Sequence, residues 1–159
     1  KGKPELNSTP GPHFNISHSG EWVVLALSDR EVGIDVERIR APQYRIAERF
    51  FSPHELESLN SKTGEDKEHY FFDLWTLKES YLKMLGKGLT QSLGSFTMKR
   101  EPGGFQLELK GKADTSVFFT QIPLHPDYKL SVCHRSRECN PQALHISMEE
   151  LITHLSHGQ

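Results

Sequence analysis

The chain has 159 residues, 35% of them hydrophobic and 25% charged, a size that suits one globular domain or two small lobes. Its formal net charge of -2 gives no global attraction to nucleic acid or to an anionic membrane surface. No apolar run approaches the roughly 18–20 residues that span a bilayer, and the longest, Trp22-Val23-Val24-Leu25-Ala26-Leu27, is strand-sized.

In chain order, residues 1–13 are rich in Pro, Gly, Asn and Ser and read as an irregular lead-in. Two β-rich runs follow, Phe14 to Ser17 and Trp22 to Leu27, separated by Ser17-His18-Ser19-Gly20, which predicts a hairpin or tight connection. Val32 to Glu37 predicts a third strand, and Pro42 stops it. Ile46, Phe50 and Phe51 then recur at helical spacing. Ser52-Pro53-His54-Glu55 is a helix start, with a Ser cap, Pro in the first turn and Glu in the capping-box place. The strongest predicted helix runs from about Lys67 to Leu85, where Tyr70, Leu74, Leu77, Tyr81 and Leu85 form one apolar stripe. Gly86 and Gly88 supply its stop. Beyond Ser95 the pattern turns to strands at 96–99, 105–109, 117–122 and 128–134, the first two joined by Pro102-Gly103-Gly104. Ser147-Met148-Glu149-Glu150 opens a short closing helix to about Leu155. Strands, helices, strands, helix is an α+β order, not the alternation of a doubly wound parallel sheet.

Cys133 and Cys139 match no redox or zinc spacing. Cys133 sits in an apolar run and reads as a core residue. No disulfide framework is expected, which fits a reducing cytoplasm. The scattered histidines offer no zinc pattern. The chain opens on Lys1-Gly2-Lys3-Pro4, without an initiating Met, so it is expected to be a fragment or a processed product.

Gly33-Ile34-Asp35-Val36-Glu37 places two acids at alternate positions of an apolar strand, on one face. Neighbouring carboxylates repel unless a cation or proton lies between them. Mg²⁺ would relieve that repulsion and keep coordination sites for water and phosphate; a solvated edge strand is the plain alternative. Glu79 and Lys83 lie four apart on the long helix, where such a pair is most often surface decoration. Packing that helix on the acid-bearing strand would make Glu79 a third carboxylate and set Lys83 beside it to meet a phosphate oxygen. Ser17-His18-Ser19-Gly20 could contact phosphate or simply turn a hairpin. Gly86-Lys87-Gly88 lacks the Walker spacing, and helix capping explains it better.

Together these blocks resemble the 4'-phosphopantetheinyl transferase family of the surfactin-synthetase-activating type. The matching segments are Gly2-Lys3-Pro4, Phe14-Asn15-Ile16-Ser17-His18-Ser19-Gly20, Gly33-Ile34-Asp35-Val36-Glu37, and Trp75-Thr76-Leu77-Lys78-Glu79-Ser80 with Lys83 and Gly86-Lys87-Gly88-Leu89. The resemblance runs through nearly the whole chain and implies a pseudo-dimer of two α+β lobes with coenzyme A and Mg²⁺ between them. Residues 1–31 would be the tail of the first lobe, otherwise missing at the N-terminus, and residues 32–159 the second lobe. Asp35, Glu37 and Glu79 would be the metal ligands, with Mn²⁺ as an alternative ion. Lys3, Ser17, His18 and Lys83 would contact the coenzyme A phosphates. Glu79 and Lys83 would be catalytic, Glu79 as the base for the carrier serine, directly or through a metal-bound water.

The implied reaction moves 4'-phosphopantetheine from coenzyme A to a serine of an apo acyl or peptidyl carrier protein and releases 3',5'-ADP. Carrier choice would fall to the residues after Pro42 and to the segment from Ser52 to Lys67, and self-association could complete a cleft between copies. Two other readings stand beside this one: a non-catalytic carrier-binding fragment, and a metal-dependent nuclease or phosphohydrolase. The acidic balance and the four-residue spacing of Glu79 and Lys83 argue against the last.

Overall fold

A computed structural model describes residues 11–86, 92–138 and 141–156. The first unit is a two-stranded hairpin, β1 (His13–Ser19) and β2 (Trp22–Ser28), closed in the register Ser19↔Trp22. Its two-residue turn needs positive φ at the first position, and Gly20 supplies 58°. Alternation then gives the hairpin two unlike faces. Asn15, Ser17, Ser19, Trp22, Val24 and Ala26 face inward, while Ile16, Val23, Leu25 and Leu27 are exposed on the outer face.

The central sheet is antiparallel, in the order β3 (Val32–Arg38), β8 (Tyr128–His134), β7 (Phe118–Gln121). The register Asp35↔Ser131 and Glu37↔Lys129 sorts its side chains. Val32, Ile34, Val36, Tyr128, Leu130 and Val132 form an apolar layer against Trp22, Val24 and Ala26 of the hairpin. Gly33, Asp35, Glu37, Lys129, Ser131 and Cys133 therefore take the opposite face.

Three helices follow β3: α1 (Tyr44–Phe50), α2 (Pro53–Asn60) and α3 (Gly64–Leu85). The capping box opening α2 forms in both directions: Ser52 Oγ accepts from the Glu55 N–H, and Glu55 Oε2 accepts from the Ser52 N–H. α3 begins three residues before its expected start. The stripe from Tyr70 is what periodicity detects, whereas the first turn is solvated and is favoured by Glu65 and Asp66 at the positive end of the helix dipole.

α3 is the spine of the molecule. One side lies on β3 and β8, where Thr76 Oγ1 and Ser131 Oγ meet at 2.8 Å. The other side packs Phe71, Leu74, Leu77 and Tyr81 into the main core with Phe51, Leu59, Phe96 and Leu107. Burying each such side chain contributes roughly 1.5–3 kcal/mol before the entropy of ordering it is subtracted. Gly86 ends the helix at φ 66°, the left-handed cap expected there.

A single 3-10 turn at Leu93–Ser95 leads into a second antiparallel sheet of β4 (Phe96–Glu101), β5 (Gly104–Leu109) and β6 (Lys112–Ala113). The glycine-rich turn at Pro102-Gly103 was legible. β6 was not, because two exposed residues carry no periodicity. The chain closes on α4 (Met148–Ser156), opened by the Ser147–Glu150 capping box. The observed class is α+β, as expected.

Candidate active site

The expected acids lie on elements that converge where β3, the inner face of β1 and the C-terminal half of α3 come together. Gly33 sets their spacing. A methyl group on it would overlap the backbone oxygen of Ser80 and the backbone nitrogen of Met84, so only a bare α-carbon lets the helix lie this close to the strand. Glu79 and Lys83, on that stretch of α3, are thereby brought over the face that carries Asp35 and Glu37.

Lys83 Nζ lies 2.6 Å from Asp35 Oδ1 and donates to Ser17 Oγ at 2.8 Å. Ser17 passes the chain on, its hydroxyl donating to Asp35 Oδ1 at 3.0 Å. Glu37 Oε2 accepts from Ser19 Oγ at 2.9 Å. Among the described residues, the second Asp35 oxygen, Oδ2, is buried without a hydrogen-bond partner.

β1 reaches β3 through its side chains instead of through a backbone ladder. The N–H groups of Ile34, Val36 and Arg38, on the strand edge away from β8, donate to Asn15 Oδ1 (2.8 Å), Ser17 Oγ (3.3 Å) and Ser19 Oγ (3.1 Å). Three polar side chains at alternate positions thus satisfy an edge that a fourth strand would otherwise cover. Two of them also hold a carboxylate. Ser19 was expected only as part of a phosphate-contacting or turn segment, and Asn15 had no expected role, although their Asn-x-Ser-x-Ser alternation in a β-rich run was a usable signal.

Burial dominates the electrostatics. It pushes Asp35 up to about 7, against the pull of Lys83 and the hydrogen bond from Ser17, with Glu79 adding a further upward push. Glu79 is raised by burial as well; Lys83 lowers it and Glu37 raises it. These mutual influences place the three acids and Lys83 in one electrostatic neighbourhood. Lys83 already occupies Asp35 Oδ1, and among the described residues no three acidic, imidazole or thiol side chains are gathered closely enough to hold an ion as they stand.

The donor set nevertheless suits a hard divalent cation: its oxygens are anionic, and the orphaned Asp35 Oδ2 is a buried acceptor in need of a positive partner.

The structure brings Ser17, Asp35, Glu37, Glu79 and Lys83 together. His18 is exposed on the opposite face of β1 from Ser17 and takes no part in the cluster. Lys3, and Lys87-Gly88-Leu89 of the motif after α3, lie outside the described residues.

The family model for the 4'-phosphopantetheinyl transferase superfamily matches residues 31–133, which include β3, all of α3 and most of β8. The chain belongs to this superfamily. The transferase psf-1 of Bacillus pumilus is 40% identical over 156 residues, 98% of this chain and 66% of that protein. Sfp of Bacillus subtilis (strain 168) is 36% identical over 152 residues, 95% of this chain and 67% of that protein. The expected surfactin-type branch of the transferase superfamily is therefore borne out. The chain spans about two thirds of the length of these curated relatives, 66% for psf-1. In fold, it is similar to a holo-(acyl-carrier-protein) synthase from Bacillus anthracis str. Ames, solved in complex with CoA (3',5'-ADP). That likeness has a TM-score of 0.55 at 17% identity and covers 65% of this chain and 93% of that one. The expected α+β transferase fold stands on this likeness and on the family match.

Proposed function

We propose that this chain carries the catalytic part of an enzyme that transfers 4'-phosphopantetheine from coenzyme A to a serine of an apo acyl or peptidyl carrier protein. The observation that carries the reading is the Lys83–Asp35–Ser17 cluster with its orphaned carboxylate oxygen, set in a chain of the transferase superfamily. The relatives' names and the coenzyme A bound in the fold neighbour support it.

In this reading the serine oxygen attacks the β-phosphorus of coenzyme A. The bond from that phosphorus to the bridging oxygen breaks, and 3',5'-ADP leaves with the electron pair. Lys83, with its side chain 29% exposed, is accessible to a pyrophosphate oxygen and would donate to it, offsetting the charge that develops there. Ser17 steadies the same region with its hydroxyl. Glu79, raised by burial, takes the serine proton as the new bond forms.

Asp35, Glu37 and Glu79 would hold Mg²⁺, with Mn²⁺ as the alternative ion. When bound, it would supply positive charge to the pyrophosphate. Lys3 and His18 would meet the nucleotide phosphates, His18 from the exposed side of the hairpin. Residues 1–31 would serve as the coenzyme A-contacting tail of a first lobe and residues 32–159 as the second lobe. The residues after Pro42 and the segment Ser52 to Lys67 would receive the carrier. No helix among the described residues is long and apolar enough to cross a membrane. The reaction itself, which draws on coenzyme A, would take place in the cytoplasm, where the buried thiol of Cys133 stays reduced.

The test is the intact mass of an apo carrier after incubation with coenzyme A and Mg²⁺, using this chain and a version lengthened to match its relatives. A gain of one phosphopantetheine group, lost with Glu79→Ala, is expected. If no apo carrier is modified by the lengthened form, the proposal fails.

A further inference from the structure

α3 carries a fully buried lysine–carboxylate pair, formed by the residue that precedes Glu79, and the reaction above makes no use of it. Lys78 is fully buried, 0% exposed, and its ammonium lies 2.8 Å from Glu55 Oε1, itself 0% exposed. The same ammonium donates to the carbonyl oxygens of Leu93 (2.9 Å) and Phe96 (2.8 Å). Its three protons therefore have three acceptors, and the Phe96 ring stands 4.3 Å from Nζ.

Glu55 is equally committed. Beyond Lys78, its Oε1 accepts from the Met98 N–H at 2.6 Å and its Oε2 from the Ser52 N–H at 2.7 Å. The pair thus ties the middle of α3 to the start of α2, to the turn that precedes β4, and to β4 itself. Burial lowers the Lys78 pKa, and Glu55 opposes that shift.

A buried ion pair is a poor source of stability, because apolar residues of similar volume are often as good or better. What it supplies is directional: each bond fixes a distance and an angle, which apolar packing does only loosely. α3 is pressed on its opposite side by the close contact at Gly33. A helix touched on one side only could roll; one pinned on both sides cannot.

We propose that Lys78, held by Glu55, is a positioning residue for the transferase site, fixing the roll of α3 so that Glu79 and Lys83 face Asp35. This rests on the transferase reading above. Lys78 touches no reacting atom and acts through the helix.

The test is Lys78→Met in the full-length protein, with kcat counted per folded molecule from the near-UV circular dichroism. Misplacement on the order of 1 Å is expected to lower that kcat roughly 10²-fold, with KM for coenzyme A nearly unchanged and, in a crystal structure, Lys83 Nζ beyond about 4 Å from Asp35. A residue that served stability alone would lower the folded fraction and leave kcat per folded molecule at the parental value. That outcome overturns the proposal. If Lys78→Met does not fold, the double variant Glu55→Gln with Lys78→Met, which buries no charge, decides between the same two outcomes. A parent that modifies no carrier would defeat the functional reading; the variant's crystal structure would still decide this inference, since Lys83 unmoved from Asp35 overturns it and Lys83 displaced supports it.

Discussion

Two of the lysine–carboxylate pairs on α3 could hardly be less alike. Lys78 and Glu55 are sealed, and every proton and oxygen of the pair has a partner. Lys83 and Asp35 are unfinished: the lysine is part-exposed, and one carboxylate oxygen is buried without a partner among the described residues. A saturated network has nothing left to offer a ligand, whereas an unsaturated one is held at a cost that a ligand can remove. The same residue types, less than two helical turns apart, thus do opposite work. Saturation, not residue identity, separates the structural pair from the chemical one.

Charge deletion at both pairs gives the largest expected contrast. Asp35→Asn keeps the shape and a neutral group where Asp35 already titrates near 7. Transfer should fall about 10³-fold, as expected for losing a charge worth several kcal/mol in the transition state, while stability changes by less than about 1 kcal/mol. Glu55→Ala should do the reverse in kind, costing about 3–5 kcal/mol of stability by leaving a buried ammonium unpaired. Chemical denaturation alongside carrier-transfer rates measures both. Equal stability losses at the two sites would erase the distinction.

A smaller effect is expected at the contact that brings the open pair together. Gly33→Ala would force the backbone of α3 away from β3, costing about 1–3 kcal/mol as overpacking does and roughly 10²-fold in transfer as Glu79 and Lys83 are displaced. Thermal melts and initial rates check this. Parental activity would mean that the spacing at Gly33 is irrelevant to the site.

The subtlest expectation concerns protons. Asp35 is raised from the ordinary carboxylate value to about 7, so the folded protein holds a proton that the unfolded chain has released. Its contribution to stability is full below pH about 4 and is lost as pH rises through 7. Glu79, also raised, acts with the same sign. A divalent ion competes with that proton, so Mg²⁺ affinity should rise about tenfold per pH unit below 7 and level off above it. Calorimetry across pH measures it, and a flat profile would show that Asp35 binds no ion.

Much of this was legible in the chain. Asp35 and Glu37 stood out because acids at alternate positions of an apolar strand must share a face, and Glu79 and Lys83 because a helix repeats every 3.6 residues. The helix and strand order followed from periodicity and capping boxes. Other features were not legible, each for a physical reason. Lys78 looks like surface charge, since lysines are almost never fully buried unless paired, and its partner Glu55 comes from another helix. Asn15 and Ser19 gain their roles only from an open strand edge, and openness belongs to the sheet. His18 shows the converse: next to Ser17 in sequence, it is turned to the other face by the pleat.

If the proposed function holds, the unsaturated pair is the place where a hard ion and the coenzyme A phosphates meet. A crystal structure of the protein soaked with Mn²⁺ and coenzyme A tests it most directly, because the anomalous signal locates the ion independently of activity. One ion is expected within coordination distance of Asp35, Glu37 and Glu79, with Lys83 released from Asp35 to a phosphate oxygen. An ion bound elsewhere, with Lys83 still on Asp35 and the three carboxylates unligated, would contradict it.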